Sequence, residues 1–208
     1  MIQGDAAMQV TTGYDTATYR KPLGVTAGIV PMNFPAMIPW GWMVPLSIAC
    51  GNTVVLKASS QTPLTSMRIM ELFYTEGGFP KGVVNLVTCS RVEADILLTD
   101  ERVKAVTFVG TTGVGKQVYS KAAAHGKRVQ AQCEAKNHAL VLEDCNLEAT
   151  VNAIINSTYG CAGMRCMALP VVCVQESIAD EFVSLLKKKA EAMKLGCAYD
   201  EETDLARL

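Results

Sequence analysis

Histidine is nearly absent from this chain: there are two in 208 residues, His125 and His138, and neither stands at metal-ligand spacing from a cysteine. A Cys/His metal site is therefore not expected. Among the eight cysteines no Cys-x-x-Cys pair occurs, several sit in apolar runs such as Val171-Val172-Cys173-Val174, and no secretory leader is recognised ahead of them. They are expected to stay reduced. An excess of charge of one sign is missing as well. Nineteen basic against twenty acidic residues give a net charge of −1, which provides no electrostatic attraction to nucleic acid or to an anionic membrane. No uninterrupted apolar run is long enough for a membrane span. The longest, from Phe34 to Cys50, is broken by Pro35, Pro39 and Pro45 and reads as a buried, irregular helix. Internal repeats, low-complexity tracts and linkers are also absent.

What is present is a core. Half of the residues are hydrophobic, enough for one or two globular domains. Buried strands are predicted at Gly24–Val30, Thr53–Leu56, Val83–Val87 and Ala105–Val109, with helices between them, one being Thr65–Glu76 with Met67, Met70, Leu72 and Phe73 near a common face. This is a parallel βαβ pattern. Further strands are expected at Arg128–Cys133, Ala139–Leu142 and Val171–Val174. Asn146 is placed to cap a helix, and Ile178, Phe182, Leu185, Leu186 and Met193 form the stripe of a last one. Residues 1–20 are polar and read as a hairpin. The end at Leu208 lacks a compact finish, so a segment of a longer protein is expected.

Chemistry concentrates in Gly160-Cys161-Ala162-Gly163-Met164-Arg165-Cys166-Met167-Ala168. Small residues allow close approach, and a thiol beside a fixed cation is the setting of a reactive cysteine. Taken alone, a buried cysteine is more often a small core hydrophobe. By the same reasoning Asn33 alone is a turn residue, Lys57 a snorkelling surface lysine, Gly110 and Gly115 packing glycines, and Arg165 a salt-bridge partner.

Taken together, Pro31-Met32-Asn33-Phe34-Pro35, Gly51-Asn52-Thr53-Val54-Val55-Leu56-Lys57, Phe108-Val109-Gly110-Thr111-Thr112-Gly113-Val114-Gly115 and the Cys166 segment resemble the aldehyde dehydrogenase superfamily in order and spacing. The closer resemblance is to its CoA-acylating methylmalonate-semialdehyde branch, through Asn33-Phe34-Pro35-Ala36-Met37-Ile38-Pro39, His125-Gly126-Lys127-Arg128-Val129-Gln130-Ala131, Ala135-Lys136-Asn137-His138 and Arg165-Cys166-Met167-Ala168. The resemblance implies an α/β fold: an oligomerisation-type hairpin over 1–20, a Rossmann-like NAD(P)-binding domain over 21–136, and the start of a catalytic domain over 137–208. It implies Cys166 as nucleophile, Asn33 and the Cys166 N–H as oxyanion donors, and Arg165 for the carboxylate of a semialdehyde. Cofactor contacts are implied at Val30, Met32, Lys57, Ser60, Gln61, Gly110, Thr111 and Gly115. NAD or NADP is the implied cofactor and CoA the cosubstrate. A homo-oligomer is implied, in the cytoplasm or in a mitochondrial matrix, with a small aldehyde as substrate and neither nucleic acid nor membrane as partner.

The departures sharpen the reading. Gln132 stands where hydrolytic relatives carry a glutamate, and an amide cannot take a proton from water. Glu134 replaces a glycine and is read as added bulk and charge or as a displaced base. Ser60 replaces a ribose-binding glutamate, Ala58 and Met164 replace a proline and a glutamine, and there is one extra residue between Asn33 and Asn52. The competing expectations are a hydrolytic NADP-linked enzyme using Glu134 and a non-catalytic fragment.

Overall fold

The structure is a computed structural model in which residues 2–206 are described. The chain divides into two compact units, with the boundary between Cys133 and Glu134. In the first, an exposed hairpin of β1 (Ala6–Thr11) and β2 (Tyr14–Ala17) precedes a five-stranded parallel sheet. The sheet comprises β3 (Val25–Ile29), β4 (Thr53–Lys57), β5 (Val84–Val87), β6 (Val103–Val109) and β7 (Arg128–Gln132), in the order β5-β4-β3-β6-β7. Helix α1 (Val44–Ala49) follows β3, and α2 (Pro63–Thr75) follows β4. The short α3 (Arg91–Ala94) and α4 (Ile96–Thr99) precede β6, and α5 (Thr112–Ala124) precedes β7.

Both faces of the sheet are covered, which is why its strands read as continuous apolar runs. On one face Val54, Leu56 and Val84 pack with Ile38, Trp40, Met43 and Val44 and with Ile69, Met70 and Phe73 of α2. On the other, Ala27, Val106 and Phe108 pack with Leu97, Leu98, Val118 and Ala122. This is a doubly wound, Rossmann-like sheet. One predicted face shifts: Met67 of α2 is exposed, and Ser66 takes the inner position. The buried Trp40 indole N–H needs an acceptor there, and Ser66 Oγ provides it at 3.1 Å while donating to the Pro35 carbonyl at 3.2 Å.

The apolar stretch after Asn33 is irregular for a definite reason. Met37–Met43 wind as a π-helix before α1 begins, and the Val44 N–H donates to the Pro39 carbonyl five residues back. Pro45 has no N–H with which to continue a four-residue ladder. Beyond it Asn52 fixes the strand starts, with Oδ1 accepting from the Leu23 and Gly24 N–H groups at 2.7 and 3.1 Å.

The second unit is a βαβα arrangement of β8 (His138–Val141), α6 (Leu147–Tyr159), β9 (Val171–Val174) and α7 (Ala179–Glu191), with β8 parallel to β9. Asn146 caps α6, its Oδ1 accepting from the Ala149 N–H at 3.0 Å. Phe182 of α7 is enclosed with Val141, Val151, Ile154 and Ile155. A two-residue pairing of β10 (Leu195–Gly196) with β11 (Leu205–Ala206) completes the unit. Among the described residues no helix is long and apolar enough to cross a membrane.

Candidate active site

The chain builds β4 and β5 to one side of β3, then returns to lay β6 on the other. Connections diverge at the carboxyl ends of β3 and β6, where sheets of this kind leave a crevice for ligands. Val30, Met32 and Asn33 follow β3 there, and Gly110 and Thr111 follow β6. Val30 N–H donates to the Lys57 carbonyl at 3.3 Å and Thr62 Oγ1 to the Met32 carbonyl at 3.2 Å, so the loops after β3 and β4 are tied together. Asn33 is half-buried between this tie and the π-helix.

Beside these ends lies a cleft of about 400 Å³, walled by Ile29, Leu98, Val114 and Val118 and edged by Lys57, Arg91 and Lys121. An apolar slot with a charged rim has the character of a small-molecule site. Of the predicted cofactor residues Lys57 lines the cleft, whereas Ser60 and Gln61 are exposed in the loop beyond it. The glycines have another use. A Cβ on Gly110 would lie 2.6 Å from the Phe108 ring, and one on Gly115 would press on Cys133 Sγ and lie 3.2 Å from the same ring. Gly115 lets α5 sit close on the sheet, and Gly110 leaves room for the Phe108 ring at the end of β6.

Sequence reasoning passed over Arg91. Its guanidinium donates to Gln117 Oε1, while Lys121 pairs with Asp95. A signal was available in Ser90-Arg91-Val92-Glu93, a capping box that fixes the start of α3. The Ser90 backbone N–H donates to the Glu93 carboxylate at 2.8 Å. With a smaller contribution from the Ser90 side chain, this holds the Glu93 carboxyl below its ordinary value.

In the second unit Cys161, Ala162 and Gly163 have φ of 53°, 54° and 71°, a left-handed turn leading to Cys166. Two non-glycine residues in that region are costly, so Ala162→Gly is expected to stabilise the unit by about 1 kcal/mol. Urea unfolding checks this, and a decrease in midpoint would remove the strain assignment.

The turn is held from both sides. Asn137 Nδ2 donates to the carbonyls of Cys166 (2.9 Å) and Ala168 (2.8 Å). The Cys166 thiol is half-buried, and its N–H donates to no group among the described residues. Arg165 turns back on α6, with Nε donating to the Gly160 carbonyl (3.2 Å) and Nη2 to the Asn156 carbonyl (2.5 Å). It closes the helix end, and Gly160 carries no side chain because the guanidinium lies over it.

The sequence profile of the aldehyde dehydrogenase family matches residues 1–208. The chain belongs to that family. It is 50% identical over 202 residues to the malonate-semialdehyde dehydrogenase of Bacillus cytotoxicus, covering 97% of this chain and 41% of that protein. The crystal structure of methylmalonate-semialdehyde dehydrogenase from Oceanimonas doudoroffii superimposes with a TM-score of 0.94 at 40% identity, over 100% of this chain and 42% of the other. PnpE from Pseudomonas sp. WBC-3 in complex with nicotinamide adenine dinucleotide gives 0.93 at 36% identity, over 98% and 42%. The chain thus spans less than half the length of these relatives.

Two further positions singled out in the sequence are Gln132 and Glu134. Gln132 ends β7, its carbonyl accepting from the Gly110 N–H at 3.1 Å, and its side chain lines a sheet-face cavity of about 180 Å³ with Thr107 and Val109. Glu134, which opens the second unit, is exposed.

Proposed function

We propose that this chain carries the nucleophile and the cofactor sheet of an NAD(P)-dependent oxidation of a short-chain acidic semialdehyde, and that the resulting thioester is released to CoA. The observation that carries the reading is the Cys166 turn, tied by Asn137 with the Cys166 N–H left for an incoming oxygen. Cys166 thiolate adds to the aldehyde carbon and its own N–H donates to the alkoxide that forms; the Asn33 amide is the second donor that the family resemblance implies. Lys57 and the apolar walls of the cleft hold the adenosine of the cofactor, and the N-terminus of α5 serves its pyrophosphate. Bound NAD or NADP supplies the hydride acceptor.

Gln132 decides the fate of the thioester. With no carboxylate there to take a proton from water, the acyl group on Cys166 waits for a thiolate, which forms the acyl-CoA bond as the Cys166 sulfur leaves. Arg165 keeps Nη1 for a substrate carboxylate while its other nitrogens brace the turn. The β1–β2 hairpin, exposed at every position, is the element for pairing with a second copy, since a lone hairpin is marginal in water.

Rapid-mixing kinetics with semialdehyde and cofactor test the reading. The expected result is a burst of reduced nicotinamide and then slow turnover, with steady turnover restored by CoA and a faster CoA-independent rate in Gln132→Glu. Rapid hydrolysis without CoA that Glu134→Gln abolishes would overturn it in favour of a hydrolytic enzyme. Absence of any burst would do so in favour of a non-catalytic role.

A further inference from the structure

We infer that Arg91, together with Lys57, holds the 2′-phosphate of a phosphorylated dinucleotide, so that this chain takes NADP in preference to NAD. The inference deepens the cofactor reading above and rests on it. The rim of the adenosine cleft carries three cations, Lys57, Arg91 and Lys121, against the single carboxylate of Asp95. That carboxylate is already engaged, because Asp95 pairs with Lys121. Two positive charges therefore remain without a counter-ion at the rim. Lys57 makes no side-chain hydrogen bond or ion pair among the described residues, and the acceptor for Arg91 is the neutral amide oxygen of Gln117.

Local carboxylates are held away. The Glu93 carboxylate is turned onto the Ser90 N–H within the cap of α3, the same cap that fixes the backbone carrying Arg91. Beyond Lys57 the loop offers Ser60, a hydroxyl, where a carboxylate would repel a phosphate. A guanidinium whose acceptor is a neutral amide can exchange it for a phosphate dianion at little loss, and its fork suits two phosphate oxygens at once. The neutral 2′-hydroxyl of the adenosine ribose in NAD would leave both cations uncompensated.

Calorimetric titration of the full chain with 2′,5′-ADP and with 5′-ADP tests this without requiring turnover. The unmodified chain is expected to bind 2′,5′-ADP at least about tenfold more tightly, the contribution of one charge-assisted contact. Arg91→Gln should bring the two affinities close to parity while 5′-ADP binding is kept, and Arg91→Lys should fall between. Lys57→Ala should weaken both ligands. Equal affinities in the unmodified chain, or an Arg91→Gln variant that loses both ligands equally, would overturn the inference and leave the cofactor reading standing. Failure of either ligand to bind at all would remove the cofactor reading and the inference with it.

Discussion

Asn33→Ala is expected to slow acylation of Cys166 by about two to three orders of magnitude, the usual loss when one preorganised oxyanion donor is removed. The measurement is the burst rate of reduced nicotinamide in a single turnover, with 5′-ADP affinity as the control for an intact cofactor cleft. Asn33 stands four residues beyond β3, after the loop that Thr62 ties at Met32 and before the π-helix. The loop backbone that carries Asn33 is held in place, and an oxyanion donor acts on charge that appears only in the transition state, so its contribution falls there rather than in binding. A decrease of less than tenfold would reduce Asn33 to a turn residue.

Asn137→Ala is expected to destabilise the second unit by about 2 kcal/mol, because it leaves two half-buried carbonyls without their donor. Both bonds span the stretch between β8 and the Cys166 turn, so the loss should appear in the turn before it appears in the core. Amide exchange over residues 160–170 should accelerate more than exchange in α7, whose Phe182 lies in the apolar cluster. Alkylation in the unmodified chain is expected to favour Cys166 over the exposed Cys161 and Cys173, and Asn137→Ala should remove that preference. Uniform loosening of α6 and α7 would show that Asn137 supports the unit as a whole and not the turn.

The strands were legible because a parallel sheet covered on both faces writes itself as short valine-rich runs; Val171–Val174 falls where it was predicted. The cap at Asn146 and the stripe of α7 were legible for an equally local reason. Helices α3 and α4, with four residues each, are too short to show a period, and only the Ser90 to Glu93 box marked them. The position of Met67 misled because periodicity alone cannot register that Trp40, 26 residues away, claims the Ser66 hydroxyl. The roles of Asn137, Arg91 and Arg165 share that difficulty. Asn137 lay inside a family motif, but what it holds is 29 and 31 residues further along. Arg91 owes its place to α5, and Arg165 turns to the helix behind it, as neighbouring residues alone do not reveal.

The π-helix after Asn33 has a consequence for how this stretch can vary. Its ends are anchored separately, through Ser66 to the Pro35 carbonyl on one side and through Asn52 to Leu23 and Gly24 on the other. A change of one residue in length is therefore expected to be absorbed as slack between two fixed posts. Removing Gly41, which is exposed and has no side chain to lose, would tighten the wide turn into an ordinary one while both posts stay in place. A one-residue insertion or deletion, disruptive in a regular buried helix, is expected here to leave the sheet on either side in place.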